Sequence, residues 1–78
     1  MPQYYFDIHD DEVTLDVEGV ELRDAPHAIL FAYEAARDIA ADTVKSGRLG
    51  LRHRIDIYDA GGRFVDCVTF GEAVGVEP

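Results

Sequence analysis

The sequence predicts an α+β domain in the order β-β-α-β-β, an antiparallel sheet with one long helix packed on one face. Three observations predict it. Apolar and polar residues alternate with period two near both chain ends. Between them runs an alanine-rich stretch with no Gly and, after its first turn, no Pro. Acidic or glycine-rich turns separate the pieces. With 78 residues the chain is one domain, over residues 1–73, followed by a short tail at 74–78.

Tyr4-Tyr5-Phe6-Asp7-Ile8-His9 reads as the first strand, with Tyr4, Phe6 and Ile8 on one face and Tyr5, Asp7 and His9 on the other. Asp10-Asp11 suits a turn. Val13, Leu15 and Val17 alternate again and predict a second strand paired with the first as a hairpin. Gly19 predicts a bulge or bend, after which Val20 and Leu22 resume the pattern.

Asp24 is an N-cap residue and Pro26 fits the first helical turn. The helix is expected from Ala25 to about Ser46, ended by Gly47 in the left-handed manner, with Lys45 and Arg48 near its negative end. At 100° per residue, Ala25, Ala28, Ile29, Ala32, Ala35, Ala36, Ile39, Ala40 and Thr43 share a stripe whose small side chains let the helix lie close to a sheet. Leu30 and Phe31 project toward the polar side, and Tyr33 and Val44 sit on the shoulder. Arg54 to Tyr58 predicts the third strand with Ile55 and Ile57 inward, and Asp59-Ala60-Gly61-Gly62 a hairpin turn. Phe64 to Phe70 predicts the fourth strand, with apolar residues on both faces. Everything from Gly71 on is expected to be loosely held. The sheet's second face then presents Tyr5, His9, Arg54 and Tyr58.

Composition narrows the function. The chain is 47% hydrophobic and 29% charged, which is globular, and it has no apolar run long enough for a membrane span. Met1-Pro2-Gln3-Tyr4 carries neither a basic nor an apolar stretch of signal-peptide type, so no signal peptide is expected. Cys67 is the single cysteine, so no internal disulfide is possible and a reducing, cytoplasmic setting is expected. Net charge is −9, which argues against binding a phosphate backbone and for a basic partner, if any. The charge is uneven. Residues 7–24 carry eight acids against Arg23 alone, whereas residues 45–54 carry Lys45, Arg48, Arg52 and Arg54 with no acid. Such segments are either solvated loops of opposite sign or complementary faces that meet between subunits.

Chemistry-bearing residues are few. Asp7, His9, Asp10, Asp11 and Glu12 include metal-ligand types, but the spacing lacks the calcium-loop pattern and has no second His nearby, so an acidic turn explains it as well. Asp16 and Glu18, two apart on an expected strand, would share a face. Without a cleft that pair reads as a charged edge strand rather than an acid–base pair. Cys67 beside His9, His27 or His53 would form a nucleophile pair, though a lone strand cysteine is ordinarily a small core residue. Adjacent Tyr4, Tyr5 and Phe6 face opposite ways and make a poor base-stacking platform.

The opening M-P-x-Y-Y-F, the run D-x-E-G-x-E-L-x-D from Asp16 to Asp24, E-A-A-R from Glu34 and D-x-G-G-R from Asp59 form a combined pattern over roughly residues 1–73. It resembles a family of short, uncharacterised alphaproteobacterial proteins classed as a domain of unknown function. In that family the first turn is more often Asp-Gly, so Asp10-Asp11 implies a looser first hairpin here. A weaker resemblance, carried by the Tyr-rich first strand and the Ala/Glu-rich helix, is to HicB-like antitoxin domains, and it implies a small basic protein as partner.

These readings favour a non-enzymatic protein-interaction or regulatory module acting as a homodimer. A helix of roughly 33 Å outruns strands of about 20 Å. Its overhang and the basic segment after it make Leu30, Phe31, Tyr33, Val44, Arg48 and Arg52 the expected contact residues. No cofactor, nucleic acid or membrane is expected. The alternatives are an antitoxin-type partner of a small basic protein, and a metal-binding or acid–base enzyme using Asp7, His9 and Asp10.

Overall fold

In the computed structural model, which describes residues 1–76, the chain forms β1 (Gln3–His9), β2 (Val13–Thr14), β3 (Val20–Glu21), α1 (Ala25–Lys45), β4 (Arg54–Asp59), β5 (Phe64–Thr69) and α2 (Phe70–Ala73). All strand pairings are antiparallel. The sheet runs β2-β1-β4-β5, and β3 joins β2 on the outer side of β1, at its other end. The α+β class and the long helix follow the expectation; two short strands share the place of one, and a second helix is added.

The alternation in β1 and β4 builds the core. Phe6 lies opposite Ile57, and Ile8 opposite Ile55, so apolar side chains meet in cross-strand pairs on the face that α1 covers. Asp24 accepts the His27 N–H at 3.0 Å and lies 2.6 Å from its Nδ1, capping α1 as its sequence predicts. His27, through that side-chain bond first, holds the Asp24 carboxyl below its usual range. At the far end Gly47 takes φ 87°, with Gly47 N–H donating to Val44 at 2.8 Å and Arg48 N–H to Thr43 at 3.0 Å. These two bonds satisfy carbonyls that the last turn leaves open. Ala28, Ala32, Ala36 and Ala40 are buried, so helix backbone lies close over Tyr4, Phe6, Ile55, Ile57 and Val68.

Four expectations are corrected. The alternation of Val13, Leu15 and Val17 does not continue as a strand; pairing ends at Thr14 and these three side chains stay exposed. The reason is Asp16. Its carboxylate accepts the Phe6 N–H at 3.0 Å and the Glu18 and Gly19 N–H groups at 3.1 Å, giving the backbone an alternative to a ladder.

In β5 the inward face changes partway. Ile57 pairs with Asp66 but Tyr58 with Phe64, leaving Val65 as an extra residue. Val65 therefore packs on the core beside Val68, while Phe64 turns to the open face, 5.8 Å from the Tyr58 ring. That bulge is why period two gave no clear inward face.

Third, the last strand stops before Phe70, and residues 71–73 are not loosely held. Thr69 and Glu72 form a reciprocal capping box that starts α2, in which Phe70 and Ala73 are buried. Arg37 Nε donates to the Ala73 carbonyl at 2.7 Å and ties α2 to α1. Of the expected tail, Val74 packs on the core; residues 77 and 78 lie outside the described residues. Fourth, Phe31 does not project to the polar side. Its ring packs on Phe6 at 4.8 Å between centroids.

Candidate docking cleft and the polar face of the sheet

The face of the sheet away from α1 carries the residues an enzyme would need. Pairing of β1 with β4 sets His9 opposite Arg54 and Asp7 opposite Asp56, and β5 brings Cys67 opposite Asp56. Asp56 is buried under them. Its Oδ2 lies 3.2 Å from His9 Nε2, its Oδ1 accepts Arg54 Nε at 3.1 Å, and Arg54 Nη2 lies 3.4 Å from His9 Nδ1. Asp7 Oδ1 is occupied by the Asp16 N–H at 2.9 Å. Asp56, His9 and Arg54 therefore engage one another across the strands, while Asp7 is taken by backbone. Among the described residues no three His, Cys, Asp or Glu side chains are grouped to hold a metal, so Asp7, His9 and Asp10 do not converge on one point.

Burial, reinforced by the neighbouring Asp56 carboxylate, pushes the Cys67 thiol up to about 11. The thiol stays protonated at neutral pH, the opposite of an activated nucleophile. Iodoacetamide at pH 7.5 is expected to modify Cys67 roughly a hundredfold more slowly than a free cysteine peptide. Mass spectrometry against time checks this, and a rate equal to the peptide's would contradict the placement of Asp56 beside the thiol.

The other candidate is apolar. Between α1 and the segment joining β2 to β3 opens a cleft of about 430 Å³. Phe6, Ile8 and Ile55 form its floor, Phe31 and Ala35 its helical wall, and Leu15, Val17 and Val20 its opposite wall, with Asp16 and Glu18 among the lining residues. Asp16 builds that wall. Burial raises its carboxyl's pKa, but the N–H bonds from Gly19, Phe6 and Glu18 outweigh this and hold it below the usual carboxylate range. Gly19 takes φ 74°, and a Cβ there would come within 3.0 Å of the Tyr4 carbonyl oxygen. The loop is thus held against β1, with Leu15 at 65% and Val17 at 85% exposure turned to solvent.

The structure scatters the six expected contact residues. Leu30 is 61% exposed on the outer side of α1, and Val44 is exposed near its end. Phe31 lies in the cleft wall, and Tyr33 packs against the core beneath the Arg37 guanidinium, 6.0 Å from its ring. Arg48 is engaged by Asp11 at 3.2 Å, and His53 lies 3.7 Å from the same carboxylate. The acidic and basic segments therefore meet within the chain at this one exposed pair. Arg52 is exposed. Sequence reading missed Leu15, Val17, Ala35 and Phe6 as cleft residues. The one available signal was three exposed-length apolar residues in an otherwise acidic segment.

No helix of the described residues is long and apolar enough to cross a membrane. No curated protein and no solved structure matches the chain. The family model of a domain of unknown function, DUF6894, matches residues 3–71, which takes in every strand and the whole of α1, and the chain belongs to that family.

Proposed function

We propose that the domain is a non-enzymatic interaction module that receives a segment of a partner protein in the cleft between α1 and the β2–β3 segment. The observation that carries this reading is the apolar cleft with Leu15 and Val17 held exposed at its wall by the Asp16 bonds. Exposed apolar residues grouped around a concavity mark contact sites more than scattered ones do. The polar face of the sheet supports an enzyme reading less well, because Asp56, His9 and Arg54 engage one another and the Cys67 thiol is held protonated.

A homodimer is the second reading. Exposed Leu30 and Val44 lie two heptads apart on α1, a spacing that a second copy's helix could meet. Both readings are tested together by placing a photo-cross-linking amino acid at Val17, at Leu30 and, as a control, at Arg63 in living cells. A discrete heteromeric adduct at Val17 alone supports docking in the cleft. An adduct of twice the chain mass at Leu30 supports the dimer. Equal labelling at Arg63, or none at Val17, overturns the docking reading.

A further inference from the structure

We propose that the cleft takes a basic amphipathic helix of a partner protein, with apolar anchors in the trough and Lys or Arg along its flanks. This deepens the docking reading and rests on it.

The first argument is charge. The residues lining the cleft include two carboxylates, Asp16 and Glu18, and no Lys or Arg. On the helical wall, Glu34 and Asp38 stand three residues beyond Phe31 and Ala35 respectively, and Asp42 follows; all three are exposed. Residues three and four apart on a helix are surface neighbours, so these acids flank the apolar wall on its solvent side. Both banks of the trough are therefore negative, on a chain of net charge −9. An acidic segment would be repelled, whereas a basic one is steered in and held in register.

The second argument is the state of the sheet edges. An extended peptide binds by adding a strand to an open edge. The outer edge of β1 is filled at its ends by β2 and β3, and between them the Phe6 N–H is taken by Asp16. On β5 the Phe70 N–H points inward to the His53 carbonyl, so the alternate Cys67 and Thr69 N–H groups point outward. Asp66 Oδ1 takes the first at 2.7 Å and Glu72 Oε1 the second at 3.3 Å. Carboxylates thus occupy outward donors on both edges, which blunts strand addition. A helix satisfies its own backbone and offers only side chains, at the i, i+3, i+4 and i+7 spacing an apolar trough accepts.

The test titrates three synthetic helical peptides of equal length into the labelled protein, followed by NMR. One has a leucine face flanked by lysines. The second keeps that face but has glutamates. The third keeps the lysines but has serines for the leucines. The leucine–lysine peptide is expected to bind, with shifts centred on Phe31, Ala35 and residues 15–19, and roughly tenfold more tightly than either other peptide. The double variant Glu34→Lys, Asp38→Lys is expected to lower its affinity by about tenfold and to raise that of the glutamate peptide. Equal binding of the glutamate or the serine peptide, or shifts centred on the opposite sheet face, overturns the proposal. Failure of the leucine–lysine peptide while Val17 still cross-links a heterologous protein overturns the basic helix and leaves docking standing. Failure of both overturns both.

Discussion

Phe70→Ala is expected to lower the unfolding free energy by about 3–5 kcal/mol, the largest single-residue effect in the domain. Phe70 is the largest of the fully buried side chains and sits where β5 turns into α2. Its N–H donates to the His53 carbonyl at 2.7 Å, and the His53 ring meets its ring edge-on at 5.6 Å. The neighbours cannot close the space its ring would leave. The buried stripe of α1 is alanine, with no side-chain length to swing inward, and the backbone behind it is a continuous helix. The cost of truncation rises with the cavity that remains. Against a total stability of roughly 5–15 kcal/mol typical of domains, the variant is expected to be partly unfolded at 37 °C. Urea unfolding followed by circular dichroism measures it. Phe64→Ala, at an exposed aromatic six residues earlier, is the control and is expected to cost less than about 1 kcal/mol. Equal losses for the two variants would mean that α2 does not pack as described.

Phe70 also shows where sequence reasoning stops. The long helix was legible because three separate signals agreed: the Asp24 cap, the alanine stripe and Gly47. The strands β1 and β4 and their inward faces were legible because Phe6, Ile8, Ile55 and Ile57 alternate strictly, but alternation does not say that these two strands pair. Phe70 simply continues an apolar strand by pattern, and a four-residue helix is too short to show a period. Only T-F-G-E, with Thr69 and Glu72 at capping-box spacing, announced it. The bulge at Val65 defeated the reading of β5 in the same way, since one extra residue inverts every later assignment of faces.

The site was less legible than the fold, for a different reason. Its walls come from residues 14–20 and from Phe31 and Ala35, and no local pattern states that the two segments face each other. The helical wheel put Phe31 toward the polar side. A long ring beside alanines can reach back over the edge of the stripe, and it does so onto Phe6. Opposite charge in residues 7–24 and 45–54 was visible, yet composition cannot say whether a complement lies in the same chain. Asp11 and Arg48 answer that for one pair.

The second large effect is expected at Asp16. Asp16→Ala removes the acceptor for the Phe6, Glu18 and Gly19 N–H groups and frees the loop that carries Leu15 and Val17. A fully buried N–H left without a partner costs about 1–3 kcal/mol, but Glu18 is exposed and its N–H can turn to water, so about 2–3 kcal/mol is expected in all. The loss has a pH signature. The folded Asp16 carboxyl titrates below its unfolded value, so its contribution is fully present above the unfolded value of about 3.9 and disappears as pH falls through the folded one. The stability gap between wild type and Asp16→Ala is therefore expected to be flat from neutral pH down to about pH 5 and to narrow below about pH 4. Asp16→Asn, which keeps one acceptor oxygen, is expected to recover part of the stability with no such narrowing. The same loss of order predicts a functional result, since the cleft wall depends on these bonds. Asp16→Ala should weaken the leucine–lysine peptide by more than Glu18→Ala does, although each variant removes one negative charge. Equal weakening by the two would show that Asp16 acts through its charge alone, and that the loop keeps its shape without it.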